Sequence, residues 1–210
     1  DDDVNVASAA AEALGKLGLP DAIPALTAAL ERGPDWLRVA ALAALQTIGG
    51  KAALAAIVNI PSSSSYLVLA VAIEAVGLIG KADPTSSIAF LAPLLSQNSQ
   101  TLAEMALIAL GEVLSEGAPK GLMQEHTEVI FSAARNYASS PSTELRKAAV
   151  TCLSVANDQY SGDGLRLAKS LLREDREAEV RLAALRVASR LGRLSTQELL
   201  FIAKDSHEEL

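Results

Sequence analysis

Large aromatic side chains are scarce. The 210 residues include three Phe, three Tyr and one Trp, although half of the chain is apolar. A core so poor in rings fills its volume by bringing backbones together, which suits alanine-faced helices and disfavours a β-sandwich. Cysteine occurs once, at Cys152, so no internal disulfide forms and a reducing compartment is expected. Histidine occurs only at His126 and His207. With Cys152 these are too few and too scattered for a zinc site. Basic residues are outnumbered: the net charge is −7 and the pI is near 4.9. That lacks the basic stripe a phosphate backbone requires, so nucleic acid is not an expected partner. The alanine-rich stretches are cut by Gly, Pro and charges before they reach the ~18 residues of a membrane span. The first residues do not read as a signal peptide. A cytoplasmic protein without membrane association, catalytic residues, metal or cofactor is the expectation.

What the chain does contain is a repeat. Val6-Ala7-Ser8-Ala9-Ala10-Ala11-Glu12-Ala13-Leu14-Gly15-Lys16-Leu17-Gly18 reads apolar-x-x-Ala-Ala-x-x-Ala-Leu-Gly-x-Leu-Gly. The pattern returns from Leu37, Val68, Leu102, Leu145 and Val180, at spacings of 31, 31, 34, 43 and 35. Counting each leading residue as place 0, the apolar residues fall at places 0, 3, 4, 7, 8 and 11, one face of a 3.6-residue helix. Place 4 is always alanine (Ala10, Ala41, Ala72, Ala106, Ala149 and Ala184), where a bulky side chain would hold neighbouring helices apart. Glycine closes four copies, at Gly18, Gly49, Gly80 and Gly192, and is expected to supply a left-handed C′ residue.

Helix starts are also marked. Asp3, Ser65, Ser99 and Ser142 stand three residues before a leading position, where a side-chain oxygen caps free N–H groups. Pro34 holds that place in the second copy and suits a first helical turn. Between these helices a second set is predicted at about 21–31, 51–60, 85–95, 125–138 and 164–173, with Pro24 in a first turn. Each period is then two antiparallel helices.

Asp21-Ala22-Ile23-Pro24-Ala25-Leu26, followed by Asp35-x-x-Arg38-x-Ala40-Ala41-x-x-Ala44-Leu45, resembles the HEAT repeat of the phycobilisome-lyase type. The resemblance extends over nearly the whole chain. It implies an all-α, right-handed α-α superhelix, a HEAT-like and armadillo-like solenoid of about six helix-pair repeats forming a single domain over residues 1–210. The family pattern also places an arginine just after the leading residue of the inner helix, matched at Arg38, Arg146 and Arg181. Ala7, Leu69 and Ala103 depart from it, so an Asp–Arg ladder along the turns is expected to be broken. On function the resemblance implies little, because the scaffold is reused for unrelated tasks. HEAT-like di-iron hydroxylases need several His-Glu pairs on inner helices, whereas only His207-Glu208 occurs, in the tail. HEAT-like DNA glycosylases need a basic concave face. A chromophore-lyase-like or regulatory subunit acting on a cofactor-bearing protein is the alternative to a binding scaffold.

The chain opens on an inner helix without an outer partner and closes on an outer helix, residues 196–204, without an inner one. This leads to the expectation of a piece of a longer solenoid, or of self-association through open ends. The period is broken by a polar Ser62-Ser63-Ser64-Ser65 turn and by extra residues between the fourth and fifth copies, with a loop at 116–121. Cys152 reads as a small core residue, Trp36 as packing across a turn, and Asp1-Asp2-Asp3 as a solvated start favouring a helix dipole.

The inner helices of such a stack line its concave groove, and places 2, 6 and 10 point away from the core stripe. They hold Ser8, Glu12 and Lys16; Val39, Ala43 and Thr47; Ala70, Glu74 and Leu78; Glu104, Ile108 and Glu112; Lys147, Thr151 and Val155; Leu182, Arg186 and Arg190. Apolar groups rimmed by charge mark a contact surface. The candidate partner-binding residues are Val39, Glu74, Leu78, Glu104, Ile108, Glu112, Lys147, Arg186 and Arg190. A protein or peptide segment with its basic part toward the middle copies and its acidic part toward the last ones is the expected occupant. Residues 1–105 hold 10 acidic and 5 basic side chains and residues 106–210 hold 15 and 13, so the second half is the more highly charged and the more nearly balanced.

Overall fold

The structure, a computed structural model, describes residues 4–192 and Leu194. Among these are eleven α-helices and no strand. Six form an inner layer: α1 (Val4–Leu17), α3 (Asp35–Ile48), α5 (Tyr66–Ile79), α7 (Gln100–Val113), α9 (Thr143–Cys152) and α11 (Ala178–Leu191). The intervening α2 (Ile23–Arg32), α4 (Gly50–Val58), α6 (Pro84–Leu91), α8 (Gln124–Tyr137) and α10 (Ser161–Glu174) form an outer layer. Successive inner helices pack on one another, and each from α3 onward also packs on neighbouring outer helices, giving an α-solenoid with one continuous apolar core. The predicted closing helix at 196–204 lies outside the described residues, as do Asp1, Asp2 and Asp3.

Three of the marked serine caps form, and Asp83, which the repeat pattern does not mark, caps α6 through the Ser86 N–H. Ser65, Ser99 and Ser142 accept hydrogen bonds from the backbone N–H groups of Val68, Leu102 and Leu145 at 3.4, 3.4 and 3.3 Å. Pro34 sits one residue earlier than a first turn, at the N-cap of α3. The glycine expectation divides. Gly18 and Gly49 have φ of 65° and 68° and end their helices in the left-handed region. Gly80 is right-handed and Gly192 extended. At Gly80 the reason is space, since a Cβ would lie 2.7 Å from Val113 and 2.8 Å from Ser87.

The buried stripe is wider than the predicted one. Place 5 is also buried, by Leu42, Ile73, Leu107 and Val150. An inner helix touches its own outer helix and the inner helices on both sides, so more than half of its circumference leaves water. Place 4 alanines are fully buried from Ala41 onward, whereas Ala10 is exposed. No preceding helix among the described residues covers α1. Val6 and Leu17 of its predicted core stripe are consequently 49% and 64% exposed, and α1 meets α3 through Ala11 and Gly15 instead.

The enlarged connection, residues 114–123, accompanies a change of register. Gly15 lies against Ala44 and Gly77 against Ala109, in both cases place 9 against place 7 of the next helix. Gly111, also at place 9, lies against Ala148 at place 3. The closest approach has moved four residues along α9, about 6 Å. The other inner helices have 14 residues, but α9 has 10 and tightens after Cys152 into a 3-10 turn at Leu153–Val155. Val155, expected on the concave face, is therefore turned inward and buried.

Candidate functional site

The concave face carries a cleft of about 690 Å³ above α9, between α7 and α11. Its floor is small because Gly111, Ala148 and Ala183 lie there. Those are the residues that let the inner helices approach closely. Ile108 and Leu182 add apolar surface, and Leu182 is 48% exposed. Of the nine predicted partner-binding residues, Ile108, Glu112, Lys147, Arg186 and Arg190 line this cleft together. Val39, Glu74, Leu78 and Glu104 are not among its lining. Glu74 and Leu78 are exposed on α5, whereas Val39 and Glu104, both at place 2, are half-buried.

Glu144 and Glu179 also line the cleft. The signal for them was present in the repeat: place −1 lies one turn before places 2 and 3 on the same helix face. Ser115 lines it too, from the connection after α7, and no periodicity could have found it. Ser115 and Gly117 reach α11 across a separation of more than seventy residues. The Ser115 carbonyl accepts a hydrogen bond from Nη2 of Arg190 at 3.3 Å. Gly117, with φ of 116°, faces the same guanidinium.

Charge is distributed unevenly over the cleft. Lys147 donates to Glu179 at 2.9 Å, so the first acid of α11 is neutralised from α9. Arg190 is held by a neutral carbonyl and keeps its charge. Arg186 makes no hydrogen bond or ion pair among the described residues. On the opposite wall Glu112, and on α9 Glu144, have carboxylates without a bonded partner among the described residues.

Behind the cleft one rung of the Asp–Arg ladder is complete. Nε and Nη2 of Arg146 donate to the two carboxylate oxygens of Asp175 at 2.7 and 3.1 Å, and Nη1 donates to the carbonyls of Ser140 and Pro141. Both side chains are nearly buried, at 9% and 4% exposed. The guanidinium's hydrogen bonds hold the Asp175 carboxyl below its ordinary range, aided by the Glu177 backbone N–H and opposed by burial. Arg38 repeats the geometry with a weaker partner: it donates to the Leu30 carbonyl and to Ser64, and its ion pair with Asp35 is long, at 3.6 Å. Arg181 donates to the carbonyls of Asp175 and Arg176.

The remaining chemistry-bearing residues are dispersed. Cys152 is fully buried and burial raises its thiol far above the ordinary range. His126 and Trp36 are half-buried, and His207 lies outside the described residues. Among the described residues no group of three or more His, Cys, Asp or Glu is placed to hold a metal ion. No helix among them is long and apolar enough to cross a membrane.

Residues 1–46 match the protein family described as HEAT repeats. The whole structure is similar to a crystallised engineered protein, at 19% identity and a TM-score of 0.69, over 91% of this chain and 92% of that one. It is also similar to a designed armadillo repeat protein, at 17% identity and a TM-score of 0.66, over 91% of this chain and 96% of the other. The fold is that of an α-helical repeat solenoid. No curated protein matches its sequence. The likenesses concern the fold, and the function is argued from this solenoid's own surface.

Proposed function

We propose that this solenoid is a non-catalytic scaffold that holds a segment of another protein on its concave face. The supporting observation is the cleft over α9, where exposed Leu182 and half-buried Ile108 share one wet surface with Arg186, Arg190 and Glu112. Isolated exposed leucines need no explanation, but apolar groups gathered in a concavity and rimmed by unpaired charge do. Glu74 and Leu78 on α5 and Glu104 on α7 extend the same face toward the earlier repeats, where the charge is acidic. A partner segment is basic over α5 and α7 and loses that character toward α11. The buried thiol of Cys152 fits a reducing, cytoplasmic setting.

The test is affinity capture on the purified solenoid, with partners identified by mass spectrometry and the contact mapped by cross-linking. Glu74→Lys, Glu104→Lys and Glu112→Lys together should abolish capture of a partner that cross-links to α5 and α7. Undiminished capture, or cross-links confined to the outer helices, rejects the concave face as the binding surface.

A further inference from the structure

We propose that the cleft over α9 binds a short acidic peptide, with carboxylates on Arg186 and Arg190 and an apolar side chain between Ile108 and Leu182. This rests on the concave-face reading above and gives it a chemistry and a position. The protein as a whole carries −7, yet this wall is locally cationic. Glu179, the acid that would offset it, is engaged by Lys147 at 2.9 Å. Arg186 has no partner among the described residues, and Arg190 is bonded to a carbonyl that leaves its charge uncompensated. The two arginines stand four residues apart on α11, one turn, so their side chains flank a single position on the helix face. A carboxylate there receives charge-assisted hydrogen bonds from both.

The opposite wall limits what else fits. The carboxylates of Glu112 on that wall and Glu144 on α9 outnumber Lys81, the remaining cation of the lining outside α9 and α11, and repel a ligand carrying negative charge throughout its length, which counts against a nucleic-acid strand. The ligand is acidic over α11 and uncharged or basic over α7. From α7 to α11 is two interhelical spacings, about 18 Å. An extended segment of roughly six residues spans that distance.

The enlarged connection then has a role. The Ser115 carbonyl holds the Arg190 guanidinium, and Gly117 lies beside it. A Cβ at 117 would require a strained φ of 116° and would stand 3.5 Å from Nη1 of Arg190. Residue 117 is a positioning residue for Arg190.

A displayed library of random hexapeptides, selected on the whole 210-residue chain, tests the proposal. Selection should enrich Asp and Glu together with one apolar residue. A selected peptide, fluorescently labelled, should bind about tenfold more weakly to Arg186→Gln or Arg190→Gln and show no measurable binding to the double variant. Both side chains are exposed, so circular dichroism should show an unchanged fold. Gly117→Val should weaken the same peptide while leaving one bound to Glu74 and Glu104 unaffected. Enrichment of basic peptides that depend on Glu74, Glu104 and Glu112 would overturn this inference and leave the proposed function standing. No enrichment at all would overturn both, as would acidic peptides that bind the double glutamine variant as well as the original.

Discussion

Adding one methyl group at each of four helical glycines separates helix propensity from packing. Alanine is about 1 kcal/mol better than glycine inside a helix, so each change starts from a favourable contribution before contacts are considered, smaller near a helix end. At Gly162 an added Cβ meets nothing within 4 Å. Gly162→Ala should stabilise by about 0.5 kcal/mol, less than the full value because it lies in a first turn. At Gly77 the new Cβ would sit 3.2 Å from the Ala109 Cβ and 3.3 Å from its Cα. A shift of a few tenths of an ångström relieves that, and the two effects should cancel to within about 0.5 kcal/mol. At Gly111 the distances are 2.9 Å to the Ala148 Cα and 3.0 Å to its Cβ. A backbone atom cannot rotate aside, and α7 is held by neighbours on both sides, so Gly111→Ala should destabilise by a net ~1–2 kcal/mol. At Gly15 the nearest distance is 2.8 Å, but α1 has an open face and can move outward. Its loss should be the smaller of the two, about 0.5–1 kcal/mol. Urea unfolding followed by far-ultraviolet circular dichroism gives the order Gly162→Ala, Gly77→Ala, Gly15→Ala, Gly111→Ala from most to least stable. If Gly111→Ala is as stable as Gly77→Ala, the close α7–α9 approach is wrong, and the register change inferred from it fails.

Asp175→Asn should destabilise by about 3 kcal/mol, because it leaves the Arg146 guanidinium nearly buried without its counter-charge. The folded Asp175 carboxyl lies below its ordinary value, so its contribution is present above about pH 4 and lost as pH falls through the lowered folded value. Stability measured downward from pH 5 should therefore fall less steeply in Asp175→Asn than in the original protein; equal slopes would contradict the pair. Leu42→Ala should cost about 3 kcal/mol and Leu78→Ala less than about 0.5 kcal/mol, as judged by chemical denaturation, since Leu42 is fully buried and Leu78 is 62% exposed. Cys152 should not react with an aromatic disulfide reagent until urea unfolds the chain, and native-state labelling would show that its burial is wrong. If the open face of α1 mediates self-association, Val6→Glu with Leu17→Glu should lower the weight-average mass in sedimentation equilibrium; an unchanged mass would exclude that face.

The solenoid was legible because its sequence signal is redundant. Alanine at place 4, apolar residues at places 0, 7 and 8, and a serine cap at place −3 recur at intervals no single helix would impose. Leu42, Ile73, Leu107 and Val150 were missed for a geometric reason. A one-face template assumes a helix with one neighbour, whereas α3, for example, packs against α1, α2, α4 and α5. The glycines misled in the opposite direction. Gly18 and Gly80 close the same motif, but one supplies a positive φ and the other supplies space for Val113 and Ser87. Sequence spacing cannot distinguish those needs, because glycine answers both.

Legibility of the candidate cleft stopped where periodicity did. Ile108, Glu112, Lys147, Arg186 and Arg190 were found because their helix faces follow from place number alone, and Glu144 and Glu179 would have followed from one more turn of the same count. Val155 failed because α9 ends a turn early, and nothing in its residues announces this: Cys152 and Leu153 continue the apolar stripe. The early end follows from the four-residue displacement of α9 against α7, which is visible only when Gly111 is seen beside Ala148. The same displacement accounts for Ser115. With α9 displaced, the connection after α7 meets α11 through the Ser115 carbonyl and Arg190. The extra residues between the fourth and fifth repeats therefore do more than lengthen a surface loop. They connect a shifted helix, and part of that connection reaches the α11 wall, where Arg186 and Arg190 stand.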